Sequence, residues 1–95
     1  MYRFKKYVKD QNTFEHYIHA KHELEFKDFT IIVSFITDRK SKLLHSSGDI
    51  KYNNTNAPLE LISKLDYEIL YHGIALNIIQ KTSADSIDLE KYVNG

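Results

Sequence analysis

The segment Phe29–Thr37 constrains the fold of this chain more than any other. It is β-branched and aromatic, and it is apolar on both alternating faces: Phe29, Ile31, Val33 and Phe35 on one, Ile32 and Ile36 on the other. A half-exposed strand alternates apolar with polar residues, so a run that is apolar on both sides belongs in the interior of a sheet. A sheet with a central strand needs neighbours. The rest of the chain must supply them.

The neighbours are legible with varying clarity. Tyr2, Phe4 and Val8 alternate with Arg3, Lys5 and Lys9, the period-two pattern of a half-buried strand, and Asp10–Thr13 reads as a polar break. Lys42–Ser46 reads as an antiparallel return after the turn at Asp38–Ser41. Gly48 and Asp49 read as its end, and Ile50–Tyr52 as a short further strand. Residues 14–26 satisfy two templates. Asn12 and Glu15 have capping-box spacing, and Phe14, Tyr17, Ile18 and Leu24 share a helical face. Phe14, His16, Ile18, Ala20, His22, Leu24 and Phe26 also alternate as a strand would. Helix propensity at Ala20, Lys21, Glu23 and Leu24 favours the helix, and the strand stays open.

After the loop Asn53–Asn56, Pro58 marks a helix start. Leu59, Ile62, Leu65, Ile69 and Leu70 recur at helical spacing over 59–72, and Gly73 suits the position after the end. Ile74, Leu76 and Ile78 read as a late strand. Ser83 or Asp85 reads as the cap of a short C-terminal helix whose docking face is Ile87, Leu89, Tyr92 and Val93. The predicted fold is therefore α+β: a mostly antiparallel sheet of about three to five strands on one main helix, in a single domain over 1–95.

Composition excludes several function classes. With no cysteine, disulfides, thiolate metal sites and cysteine nucleophiles are all ruled out, and a reducing, cytoplasmic setting is expected. No signal-peptide core follows the basic start, and no apolar run approaches a membrane span. Thirteen basic residues balance thirteen acidic ones, so no net field steers the chain to nucleic acid or membrane. The abundance of Lys, Asn, Ile and Tyr fits AT-rich coding, as in a low-GC bacterium, its phage or a mobile element.

Three constellations are candidate sites. The basic-aromatic N-terminus, Tyr2, Arg3, Lys5, Lys6, Tyr7 and Lys9 with Phe4, pairs ring faces for base stacking with cations for phosphates. The same alternation also describes an edge strand with its lysines turned outward. His16, His19 and His22, flanked by Glu15, Glu23 and Glu25, are candidate ligands for a borderline metal. Neither a helix nor a strand puts all three imidazoles on one ion, so a solvated or pH-sensitive surface is the plainer reading.

The third constellation is Asp38 with Asp49-x-Lys51. With the expected order α-β-β-β-α-β over residues 12–80, it resembles the minimal core of the PD-(D/E)xK nucleases. That resemblance implies Asp38 and Asp49 as Mg²⁺ ligands, Lys51 as electrostatic partner and Glu15 as a helical acid. Here Thr37 stands where that motif has proline.

His45, Ser46, Ser47 and Asp49 bring no oxyanion hole or nucleophile elbow with them, and there is no glycine-rich phosphate loop. Taken together, the residues favour a small non-enzymatic interaction module, a regulator or inhibitor that binds a protein partner and needs no cofactor. Self-association through a sheet edge or the helix stripe is expected of such a module; nucleic-acid contact through the N-terminal strand is the second reading, and a Mg²⁺-dependent nuclease using Asp38, Asp49 and Lys51 is the third.

Overall fold

The computed structural model describes residues 1–94. Four strands, β2 (Lys5–Thr13), β3 (Tyr17–Glu25), β4 (Phe29–Asp38) and β5 (Leu43–Tyr52), form an antiparallel meander in sequence order, preceded by the short β1 (Tyr2–Arg3). Two helices follow, α1 (Leu59–Ser63) and α2 (Tyr67–Ile79). The short β6 (Ser86–Ile87) then pairs antiparallel with β1, and a 3-10 turn (Leu89–Tyr92) completes the α+β fold.

β4 is interior, as its two-sided apolar pattern requires, and is hydrogen-bonded to β3 and β5. Phe29, Ile31, Val33 and Phe35 face a common core with Ala20, Leu24 and Phe26 from the β3 side. α2 closes that core with Leu70, Tyr71, Ile74 and Ala75, all buried, and Ile87 and Leu89 pack in from the C-terminal segment. At one end the core is aromatic: Phe26 stacks on Phe29 at 4.4 Å, and Tyr2 meets Phe29 edge-on at 5.7 Å.

Residues 17–25 are a strand, which corrects the helical preference. Both sides of the segment are taken up by ladders, to β2 and to β4, and its alternation places Ala20, His22 and Leu24 on the core face. Two complete ladders outweigh an intrinsic preference of a few tenths of a kcal/mol per residue. Asp10–Thr13, expected as a break, continues β2 opposite residues 18–21, and the turn falls after Thr13 instead. The order α-β-β-β is thus β-β-β-β, and the first helix of the nuclease resemblance is not formed.

The second correction concerns β5, which runs unbroken through Gly48. The ring of Tyr71 lies so close over this residue that a β-carbon there would stand 2.6 Å from it, and 2.5 Å from the Ile32 carbonyl oxygen. Glycine at this point is a close-approach residue rather than a strand end.

The third correction is in the helical region. The stripe over 59–72 is two helices, separated where Leu65 bridges to Val93 and the Asp66 carboxylate caps α2 by accepting the Ile69 N–H. Gly73 lies inside α2, and Ile74, Leu76 and Ile78 are helical rather than a late strand. The last turn is capped by Asp88, not by Ser83 or Asp85, through the Glu90 N–H.

The two glycines should respond oppositely to a methyl group. Gly48→Ala is expected to lose roughly 1–3 kcal/mol in denaturant unfolding, the usual cost of overpacking. Gly73→Ala has only the mobile end of Tyr92 in its way, at 2.9 Å, and should lie within about 1 kcal/mol of wild type. Equal losses at both positions would contradict this packing.

Candidate functional site

The N-terminal constellation is largely built into the fold. Tyr2 and Phe4 point inward onto Phe26, at 6.4 and 5.3 Å between ring centres, so neither offers a free face to a base. Two of the cations beside them are paired with carboxylates. Arg3 lies 3.5 Å from the Asp85 carboxylate and Lys9 lies 3.7 Å from that of Glu23. Lys6 donates to the Thr82 carbonyl oxygen and sits 5.8 Å over the Phe4 ring. Lys5 is opposite Glu25 in the ladder, and the exposed Tyr7 is opposite Glu23. A phosphate chain on this strand would meet carboxylates at every second step.

The acidic constellation is not brought together. The Asp38 carboxylate accepts the N–H groups of Lys40 and Lys42, at 2.8 and 2.9 Å, and so organises the β4–β5 turn. Asp49 is opposite Ile32, six residues from Asp38 along β4, which places the two roughly 20 Å apart at strand rise. They do not share an ion. Lys51 faces Thr30, farther still along the sheet, and Glu15 is in the β2–β3 turn rather than on a helix.

The three histidines also separate. His16 is exposed in the β2–β3 turn, 3.9 Å from Glu15. His19 is opposite Ile36 on the outer face of the sheet, and His22 is opposite Val33 on the core face. His22 stacks on Phe35 at 5.5 Å. Burial first, and then the Lys6 ammonium, hold its pKa below the usual 6.5. Among the described residues no cluster of three or more His, Asp or Glu is placed to hold a metal ion.

Two surfaces that the sequence reading did not single out are left. The first is the outer face of the sheet. Both helices and the C-terminal segment contribute to the single core, on the side of Ile31, Val33 and Phe35. On the other side, Ile32, Ser34 and Ile36 are half-buried in a row along β4, with Tyr7, Tyr17 and His19 beside them on β2 and β3. The β2–β3 turn adds Phe14, stacked on Tyr17 at 4.6 Å. Charges on this face are interleaved: Lys5, Lys21 and Lys51 with Glu23, Glu25 and Asp49.

The second surface is a cleft of about 260 Å³ between β5 and the start of α2, lined by Asp49, Ile50, Tyr52, Tyr67 and Tyr71. Tyr67 and Tyr71 are one helical turn apart with ring centres at 5.8 Å, and the Tyr67 hydroxyl donates to the Ile62 carbonyl oxygen. The Tyr71 phenol is pushed up to about 12 by burial, then by Tyr67 and Asp49. The i, i+4 tyrosine pair was visible in the sequence. Its third ring and its carboxylate come from a strand that had been read as ending.

Comparison with family models, with curated proteins and with solved structures gives no match for this chain. Among the described residues, no helix is long and apolar enough to cross a membrane.

His22 gives the fold a defined acid response. Its pKa is lower folded than unfolded, so its contribution is fully present above the unfolded value of about 6.5 and is lost as pH falls from there toward the folded value. The melting temperature should fall between pH 7 and 5, and His22→Phe should flatten that slope. A slope unchanged in the variant would assign the acid response elsewhere.

Proposed function

We propose that this protein is a non-enzymatic binding module that takes a protein partner on the open face of its sheet. The observation that carries the reading is the one-sided packing of β2–β5. Half-buried Ile32 and Ile36 line the middle of the unpacked face, with Tyr7, Tyr17 and His19 around them. Aromatic and aliphatic anchors within a polar surround of both charge signs are the composition of a protein interface. A phosphate polymer would select for a single sign. The carboxylates paired with Arg3 and Lys9, and Glu25 opposite Lys5 in the ladder, support the same preference over a nucleic-acid role.

A regulator or inhibitor fits a domain whose candidate catalytic groups lie far apart, and the absence of cysteine supports a cytoplasmic setting. A second copy of the chain is one partner that such a face admits.

Ile36→Glu places a charge in the middle of the face without entering the core. In a nuclease-treated lysate of the source cell, immobilised wild-type protein should retain a discrete polypeptide that the variant loses, with both proteins melting alike. A dimer in sedimentation that the variant dissociates would identify the partner as a second copy. Identical capture by wild type and variant, together with a monomer in sedimentation, would overturn the reading. So would material that is captured only when the nuclease is omitted.

A further inference from the structure

The cleft between β5 and α2 lies at the β5 edge: Ile50, Tyr52, Tyr67 and Tyr71 line it from the helix side, and Asp49, opposite Ile32, borders both it and the open face. Its chemistry is lopsided. Three tyrosines and one carboxylate line it, together with Ile50, and no Lys, Arg or His does. Among the described residues Asp49 makes no ion pair; its carboxylate accepts the Ile50 N–H at 2.9 Å, on its own strand. That contact uses one carboxylate oxygen.

We infer that this cleft is a binding site for a cationic side chain, the guanidinium or ammonium of an arginine or lysine presented by a protein partner. Tyrosine ring faces carry the negative part of the aromatic quadrupole and attract a cation within about 6 Å by roughly 0.5–2 kcal/mol, more as water is excluded. Asp49 supplies the formal charge, and a planar guanidinium is suited to stack on a ring while hydrogen-bonding a carboxylate.

The walls are fixed before anything binds. Tyr71 is pinned against Gly48, where a β-carbon would stand 2.6 Å from its ring, and Tyr67 is tied to the Ile62 carbonyl. A preformed site spares the ordering cost that a flexible one incurs. Asp49 adds, after burial and Tyr67, to the upward shift of the Tyr71 phenol, which sets its carboxylate close to that ring. The accessible wall is Tyr52, just over half exposed, which leaves the cleft open to an incoming side chain.

The test is a titration of the isotope-labelled full chain with N-acetyl-arginine amide and with its neutral isostere N-acetyl-citrulline amide, followed by NMR at the Gly48 and Ile50 amides and the tyrosine rings. Saturable shifts are expected with arginine and not with citrulline. Asp49→Asn keeps an oxygen for the Ile50 N–H, and Tyr52→Ala removes an exposed ring, so both should fold. Each should weaken arginine binding about five- to tenfold. Equal shifts from citrulline, no saturable shift from arginine, or undiminished binding in Asp49→Asn would overturn the inference. Tyr52→Ala leaves the open face as it is, and Ile36→Glu, four residues along β4 from the Asp49 partner Ile32, leaves the cleft as it is, so the two readings fail separately.

Discussion

The packing of Tyr71 against Gly48 is the contact on which the rest of the molecule depends. A four-stranded meander has two faces and no core until something covers one of them. Here the cover is α2, whose buried face is Leu70, Tyr71, Ile74 and Ala75. A helix normally stands off a sheet by the length of two side chains. At Gly48 one of those is missing, and an aromatic ring occupies the space. That brings the start of α2 down beside β5, where Ile31 and Val33 are fully buried, and forms the tyrosine cleft as a by-product. One glycine thus sets both the depth of the core and the shape of a surface.

A sheet covered on one face still has two edges to manage. Each edge strand breaks register once, β2 between Val8 and Asp10 and β5 opposite the step from Ile36 to Thr37. Such bulges twist an edge out of the flat geometry that invites pairing with another chain. β2 adds three lysines along its length, and on β5 the Asp49 carboxylate occupies the Ile50 N–H. The faces and the cleft are consequently better candidates for recognition than the edges, although self-pairing through an edge was one of the expectations from sequence.

How much could be read in advance follows from how local each determinant is. The interior strand Phe29–Asp38 was legible because its two-sided apolarity states its environment outright. The start of the helical region was legible too, since Pro58 acts within one turn. Residues 17–25 were not decided locally: Ala20, Lys21 and Leu24 are good helix formers, and only pairing with two distant strands makes them extended. Gly48 was misread for the same reason, because the ring that explains it is 23 positions away. The hinge at Leu65 was equally invisible, as its bridge is to Val93. The candidate sites were proximities in sequence, and the sheet pulled them apart. Asp38 and Asp49 went to different ends of β4, and His19 and His22 to opposite faces. The Tyr52–Tyr67–Tyr71 cleft shows the converse, assembled from residues whose nearness only the docking of α2 creates.

The sheet is covered on one side and open on the other, and the open side carries the half-buried isoleucines and exposed tyrosines. Isoleucine methyl groups report on this directly, since β4 carries Ile31 on one face and Ile32 and Ile36 on the other. The measurement is methyl relaxation by a soluble gadolinium chelate at low protein concentration. The one-sided sheet predicts broadening at Ile32 and Ile36 that is below that of exposed Ile69 but well above that of buried Ile31, Ile62 and Ile74. Protection of Ile32 and Ile36 equal to that of Ile31 would contradict it.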